Sequence, residues 1–169
     1  MTTEIIGLHH AAYRCSNSEA TRAFYEDFLE LPLVEALPIG TTATGRQANV
    51  LHTFYQMANG GCLAFFEAPD QPFEFKAQHD FDLHIALEVS YPTLERMLAK
   101  GRDTGREMRG PSDHGFIHSI YFRDPDGYVV ELAAPIPSSA SDAGGSRSGF
   151  DPARAREKLA AWQKQQDAG

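Results

Sequence analysis

The sequence predicts an α+β protein made of two tandem modules, each with the order strand, helix and three strands. The predicted elements of residues 5–68 recur in the same order in residues 81–135. The two halves also align at an offset of 74 residues, which places His10 on His84 and Ser16 on Ser90. Together the modules are expected to form a cup-shaped, incompletely closed mixed β-sheet with the helices on its outer face.

The first module begins with a strand over residues 5–15 and a helix from about residue 17 to residue 30. Ser16 and Glu19 have capping-box spacing, and Leu31-Pro32 ends the helix. Strands are then predicted near residues 33–37, 47–56 and 62–67, where β-branched and aromatic residues alternate between turn residues. Residues 69–80 contain two prolines and no periodicity, which is typical of a connecting segment.

The second module repeats this order with a strand over residues 82–90 and a helix over residues 91–100. Pro92 is suited to the first helical turn and Gly101 to the end of the helix. A weak strand is predicted near residues 104–108. The segments 116–122 and 128–132 then flank Asp124-Pro125-Asp126-Gly127, which indicates a β-hairpin.

The remaining residues differ in composition from both modules. Residues 136–150 are rich in Pro, Ser, Ala and Gly, which is typical of a flexible linker. Residues 151–169 are predicted to form a helical tail that begins at Asp151-Pro152. Its Leu159 and Trp162 could dock on the domain or on a second subunit, and an exposed helix is the alternative.

Composition and charge exclude several classes of function. The 169 residues are 42% hydrophobic and contain no apolar run of membrane-spanning length, so a cytoplasmic protein is expected. The net charge of −8 disfavours nucleic acid and anionic membranes as partners. Cys15 and Cys62 fit neither a disulfide framework nor zinc spacing, and we interpret both as reduced packing residues.

Strand alternation places several metal-ligating side chains on one face of the predicted sheet. In the strand of residues 82–90 the odd positions are apolar, so His84 lies on the opposite face. In the hairpin, Tyr121 and Glu131 share one face, and the apolar side chains point to the opposite face. A cup would gather both with His10 and His84. Two imidazoles and one carboxylate suit a divalent transition metal with open positions for substrate or water.

A structural role is the alternative for each histidine, since a lone histidine on a strand is more often hydrogen-bonded than metal-bound. The recurrence of His10 and His84 at equivalent positions of the two modules, together with Glu131, favours the metal site.

Residues 5–135 resemble the vicinal oxygen chelate superfamily, which includes glyoxalase I, methylmalonyl-CoA epimerase, fosfomycin resistance proteins, bleomycin-binding proteins and type I extradiol dioxygenases. The resemblance is carried by Leu8-His9-His10-Ala11-Ala12-Tyr13-Arg14, by Ala23-Phe24-Tyr25-Glu26-Asp27-Phe28-Leu29 and by Phe122-Arg123-Asp124-Pro125-Asp126-Gly127-Tyr128-Val129-Val130-Glu131. It implies a divalent metal held by His10, His84 and Glu131, with Fe(II) or Mn(II) preferred and Zn or Ni possible. It also implies a small vicinal-oxygen substrate and a homodimer. His10 is preferred over His9 because it has the same distance to Cys15 as His84 has to Val89.

Within this superfamily the extradiol dioxygenase signature is matched by His114, Ile120-Tyr121, Asp124-Pro125, Gly127 and Glu131, while Ser112 departs from it. The resemblance implies that His114 and Tyr121 hydrogen-bond a metal-bound catecholate or oxygen. The expected activity is ring cleavage of a small aromatic vicinal diol.

Two positions of the first module depart from the patterns of related enzymes. Ala64 stands where glyoxalases and the epimerase have a fourth ligand, and Glu67 could replace it only if a bulge turned it inward. The acid-base histidine of extradiol enzymes is missing near Cys62, and His52 could take that role. His118 is predicted to be structural, and His79 to lie at the surface.

Two other functions stay open. A glyoxalase-type lyase or isomerase would use the same metal and would be favoured by Glu67 as a fourth ligand. A non-catalytic binding protein of bleomycin-resistance type would need none of the three ligand positions.

Overall fold

The computed structural model describes residue 5 and residues 7–76, 79–136 and 152–167, and it confirms the α+β class with two tandem βαβββ modules. The strands are β1 (His10–Cys15), β2 (Leu33–Thr41), β3 (Gln47–Gln56), β4 (Cys62–Glu67), β5 (His84–Glu88), β6 (Met108–Asp113), β7 (Ile117–Arg123) and β8 (Val129–Pro135). The helices are α1 (Ser18–Arg22), continued by a π-helical segment (Ala23–Phe28), α2 (Tyr91–Asp103) and α3 (Pro152–Asp167).

Hydrogen bonding divides the strands into two four-stranded sheets, one for each module. Their orders are β1-β4-β3-β2 and β5-β8-β7-β6, so β1 and β5 occupy equivalent edges. The strands β1 and β5 run parallel to their neighbours β4 and β8, and all other strand pairs are antiparallel. His10 pairs with Cys62 and His84 pairs with Val129, which confirms that the two histidines are equivalent in register.

The helix of the first module begins and continues differently from the prediction. Its N-cap is Asn17, whose Oδ1 accepts the Ala20 N–H at 2.8 Å, so the capping role expected for Ser16 was wrong. The Ser16 N–H instead donates to the carboxylate of Asp126. Beyond Arg22 the helix widens into π geometry, which buries the aromatic side chains Phe24, Tyr25 and Phe28.

The second module departs from the prediction at Gly101 and at its first antiparallel strand. Gly101 does not end α2. It lies inside the helix, where an added Cβ would stand 2.7 Å from the Phe122 ring and where only glycine therefore fits. The strand expected near residues 104–108 begins only at Met108 and runs to Asp113. Residues 104–107 instead form the turn after the helix, where Gly105 has a φ of 63°.

The two modules pack together through their helix-covered sides. Their buried apolar side chains form one continuous cluster, in which the Phe28 and Phe122 rings meet edge to face at 5.1 Å. Across the same junction the Tyr25 hydroxyl donates to Asp124 Oδ2 at 3.0 Å. The opposite face of each sheet therefore lies at the outer surface, where His10 and His84 are both exposed.

The tail helix α3 presents its side chains to solvent, as far as residue 166. The predicted linker 136–150 lies outside the described residues except for Ile136. Within the described part of the chain, none of the helices is both long and apolar enough to cross a membrane.

Asp124 at the module junction provides a pH-dependent test of this packing. Burial raises the pKa of Asp124 to about 6, although the Tyr25 hydroxyl and the N–H groups of Asp126 and Tyr128 donate to its carboxylate. A raised pKa means that the folded state favours the protonated acid, so ionisation destabilises the fold as pH rises.

We expect the unfolding free energy of the wild type, relative to that of Asp124→Asn, to fall by up to about 3 kcal/mol between about pH 4 and about pH 7. The amide keeps an acceptor for both N–H groups and cannot ionise. Urea unfolding of both proteins across this range measures the difference. A difference that stays constant with pH would contradict the buried, proton-linked junction.

Candidate metal centre

The polar face of the second sheet brings together Glu131 of β8, Tyr121 of β7 and His84 of β5. Glu131 pairs in register with Tyr121 on one side and with Ala86 on the other, so it lies in the middle of the sheet. Its side chain is only 8% exposed. The Tyr121 hydroxyl donates to Glu131 Oε1 at 3.2 Å, and His84 Nε2 lies 3.3 Å from Glu131 Oε2.

The imidazole of His84 is oriented by the main chain of the segment that precedes β5. His84 Nδ1 lies 2.7 Å from the carbonyl oxygen of Asp80. A carbonyl can only accept, so Nδ1 carries the proton and the Nε2 of the neutral ring presents a lone pair to Glu131. Two acceptors facing each other at this distance repel unless a cation lies with them or the imidazole is protonated.

Tyr121 and His114 extend this group towards the β6–β7 turn. His114 Nε2 lies 3.1 Å from the Tyr121 hydroxyl, which itself donates to Glu131. Burial, with a smaller contribution from the negative charge of Glu131, raises the pKa of Tyr121 above its ordinary value. Tyr121 therefore remains a hydrogen-bond donor at neutral pH.

An arginine covers the outer side of Tyr121. Arg109 of β6 pairs in register with Tyr121, and its guanidinium carbon lies 4.1 Å from the centre of the tyrosine ring. The same guanidinium forms an ion pair with the carboxylate of Asp80. Asp80 thus contacts two parts of the site, His84 through its carbonyl and Arg109 through its carboxylate.

The polar face of the first sheet carries His10 and His52. The His10 ring packs against Phe54 and lies 6.3 Å from the His52 ring, measured between centroids. His52 is 8% exposed, stacks on Phe66 at 3.6 Å and directs Nδ1 to the Phe65 carbonyl at 3.1 Å. The Nε2 of neutral His52 is therefore unprotonated, and both histidines lie on the polar face that strand alternation predicts.

The site residues predicted from the sequence are thus distributed over two surfaces of one chain. The second module brings together His84, His114, Tyr121 and Glu131, while His10 and His52 lie on the first module. Among the described residues of a single chain, no group of three or more His, Cys, Asp and Glu side chains is close enough to hold a metal ion. His84 and Glu131 are two side chains of suitable chemistry, and a metal centre built on them would need a third ligand from elsewhere.

The structure places the other candidate positions outside this group. Ala64 pairs with Ala12 as Glu131 pairs with Ala86, so it is the counterpart of Glu131 in the first module. Glu67 lies on the helix side, where its Oε2 accepts the Ser18 N–H at 2.6 Å.

The remaining histidines also take part in local contacts. His9 hydrogen-bonds the His10 ring at 2.8 Å, and His118 faces α2, where its Nδ1 lies 3.2 Å from the Tyr91 hydroxyl. His79 is exposed, as predicted.

Sequence reasoning missed Asp80 and Arg109. The contact of Asp80 with His84 uses a main-chain carbonyl, for which no residue pattern exists. Arg109 could have been found from the pairing of β6 with β7, but the predicted strand ended at residue 108.

Comparisons with known proteins identify the family and the fold of this chain. The family model described as Glyoxalase/Bleomycin resistance protein/Dioxygenase superfamily matches residues 7–132. The metallothiol transferase FosB of Bacillus licheniformis is 31% identical over 132 residues, which cover 76% of this chain and 75% of that protein. The biphenyl-2,3-diol 1,2-dioxygenase 3 of Rhodococcus globerulus is 48% identical over 46 residues, which span 25% of this chain and 24% of that enzyme.

A similar fold occurs in a crystal structure of a mutant of the fosfomycin resistance protein FosX from Listeria monocytogenes, complexed with Mn(II) and 1S,2S-dihydroxypropylphosphonic acid. The TM-score is 0.58 at 22% identity, and the match covers 79% of this chain and 95% of that chain.

Two glutamates of equivalent chemistry and different surroundings provide a matched test of the site. We expect Glu131→Ala to lose bound divalent metal. Glu67→Ala should keep the wild-type metal content and lose about 1 kcal/mol of stability, because α1 loses an acceptor at its first turn. Metal analysis after dialysis, together with urea unfolding, measures both effects. Loss of metal from Glu67→Ala with retention in Glu131→Ala would contradict this assignment.

Proposed function

Because the chain belongs to the glyoxalase/bleomycin resistance protein/dioxygenase superfamily, we propose that it is a metal-dependent enzyme whose divalent ion is held by His84 and Glu131 of one copy and His10 of a second copy. The observation that carries this proposal is the contact of His84 Nε2 with Glu131 Oε2 at 3.3 Å. A buried carboxylate that faces an imidazole lone pair fits a bound cation.

A second copy supplies the missing ligand because of the way the modules pack. The polar faces point outward, so His10 cannot join His84 within one chain without separating the shared core. The strands β1 and β5, which carry the two histidines, are end strands of their sheets in the part of the chain that the structure describes. Leu8, just before β1, is 60% exposed and Phe81, just before β5, is 93% exposed. Joining β1 of one copy to β5 of the other would cover both and create two equivalent sites.

The ligand set favours Fe(II) or Mn(II). Two neutral imidazoles and one carboxylate leave coordination positions open, and this combination suits first-row metals that bind small oxygen ligands. When bound, such a metal would hold two vicinal oxygens of a substrate and withdraw electron density from them.

The reaction class proposed for this face is ring cleavage of a small aromatic vicinal diol, and the hydrogen-bonded pair His114–Tyr121 beside Glu131 supports it. Tyr121 holds its proton, which it donates to Glu131, and would turn this proton to an anionic substrate oxygen when Glu131 binds the metal. His114 would orient that hydroxyl or exchange a proton with it. In the dimer, the unprotonated Nε2 of His52 would come beside the site with His10, where it could accept a proton from the diol.

We expect the anaerobically Fe(II)-loaded protein to consume oxygen with 2,3-dihydroxybiphenyl or catechol. Tyr121→Phe should retain its metal and lose roughly 100-fold in kcat, because the substrate oxygen loses its donor. An oxygen electrode and metal analysis give the two readouts. Absence of oxygen uptake across several diols by a fully loaded wild type would contradict ring cleavage.

Arg109 favours a second candidate function. Its guanidinium lies on Tyr121 and is held by Asp80, so it could bind an anionic substrate group beside the metal. FosB and FosX resemble this chain over three quarters of its length or more, and the FosX complex contains a phosphonate with vicinal hydroxyls. The second candidate is therefore thiol transfer to a phosphonate such as fosfomycin.

Arg109→Ala separates the two candidates. If the substrate is a phosphonate, KM should rise by about tenfold or more, because a charge-assisted hydrogen bond is lost. With a neutral diol, KM should change little. Fosfomycin loss in the presence of Mn(II) and cysteine is followed by phosphorus NMR. Arg102→Ala, at an exposed position of α2, is the control for the loss of a positive charge. An equal effect of both variants on KM would contradict a specific contact of Arg109 with substrate.

A further inference from the structure

We propose that α3 docks through Leu159 and Trp162 into the groove between α2 and β6 of the same chain. The helix α3 lies outside the family match, which ends at residue 132, and its docking is independent of the reaction proposed above.

The helix α3 has one apolar stripe. Ala155, Leu159 and Trp162 follow at intervals of four and three residues, which places them on one face of the helix. Leu159 is 58% exposed and Trp162 is 61% exposed. An exposed pair of this size on a helix of 16 residues is typical of a surface that binds another surface.

The groove between α2 and β6 has the size and the chemistry to receive the Leu159 and Trp162 side chains. Its volume is about 350 Å³ and its lining combines apolar and polar side chains. Leu94 and Leu98 of α2 with Pro111 of β6 form the apolar part, which is large enough to receive an indole ring. Tyr91 and His118, which hydrogen-bond each other at 3.2 Å, line the polar part.

The charges of the two surfaces are complementary. The stretch Pro152–Asp167 has four basic and two acidic side chains and therefore a net charge of +2. Since the whole chain has a net charge of −8, the remaining residues together have a net charge of −10. Two carboxylates, Glu95 and Asp113, line the groove. On a helix, Lys158 and Arg156 flank the apolar stripe on either side while Glu157 lies opposite. Docking of the stripe would therefore bring basic groups to acidic ones.

The position where the sheet ends puts the groove within reach. The Ile136 N–H donates to the Phe116 carbonyl at 3.2 Å, two residues before His118, which lines the groove. Fifteen residues, 137–151, separate Ile136 from α3. At about 3.3–3.6 Å per residue they can span up to roughly 50 Å. This length lets α3 reach the groove, whose lining begins two residues after the Phe116 partner of Ile136. Docking within the same chain thus needs no second copy.

Fluorescence of Trp162 tests the proposal directly, because it is the single tryptophan of the chain. In the full-length protein we expect blue-shifted emission and severalfold weaker quenching by acrylamide than for N-acetyltryptophanamide. Glu95→Lys should shift the emission to the red and increase quenching, since it places a positive charge beside Lys158. Asp103→Lys, which makes the same charge change at the end of α2 outside the groove, should leave both unchanged.

A charge exchange keeps the test specific. Combining Glu95→Lys with Lys158→Glu should restore the protection of Trp162 that each single variant loses. Raising the salt concentration to about 1 M, where the Debye length is about 3 Å, should weaken the wild-type protection. The proposal would be overturned by a wild-type Trp162 that is quenched as strongly as the free analogue. It would equally be overturned by protection that disappears on dilution of the protein, which would assign the contact to a second copy.

Discussion

The contact between His84 and Glu131 is the interaction on which the candidate site depends. The Asp80 carbonyl accepts a hydrogen bond from the Nδ1–H of His84, so the Nε2 of the neutral ring presents only a lone pair to the carboxylate that it faces. Tyr121 supplies one hydrogen bond to Glu131, which satisfies one of its two oxygens. Glu131 Oε2 and the lone pair of His84 Nε2 face each other, and a positive charge between them would remove their repulsion. A divalent cation would satisfy both, and Tyr121, His114 and Arg109 would then offer hydrogen-bond donors to an anionic ligand beside it.

Packing of the two modules decides where the third ligand comes from. The helix-covered sides share one apolar core, closed by the Phe28–Phe122 contact and by the hydrogen bond from Tyr25 to Asp124. Burying those sides leaves both polar faces and the edges of β1 and β5 at the surface. The same hydrophobic contact that holds the chain together thus separates His10 from His84. We infer that association of two copies brings His10 of one copy close to His84 of the other.

Strand alternation predicted the parts of the site that depend on one strand or one hairpin. It placed Tyr121 beside Glu131 and Glu67 on the side opposite to Ala64, while the alignment of the two modules placed His10 and His84 at equivalent positions. These outcomes follow from the two-residue period of a strand and from the short turn that sets the hairpin register. The tandem βαβββ order followed from the same periodicity.

The parts that depend on long-range packing could not be predicted in this way. Alternation shows which face a residue occupies but not what that face meets, so the sequence left open whether His10 and His84 meet within one chain or across a dimer. The orientation of His84 by Asp80 rests on a main-chain carbonyl, which every residue has. The π-helical segment arises where Phe24, Tyr25 and Phe28 all reach the core, and sequence patterns for regular helices do not indicate it.

A subunit-mixing experiment tests most directly whether each metal site takes its ligands from two copies of the chain. His10→Ala and Glu131→Ala are prepared separately, mixed under conditions that allow exchange, and analysed for bound Mn(II). Each variant alone lacks one ligand in both sites of its dimer. In a random mixture half of the dimers are mixed and each has one complete site, so recovery of about one quarter of the wild-type metal content is predicted. No recovery after demonstrated exchange, or full metal content in His10→Ala alone, would contradict the shared site.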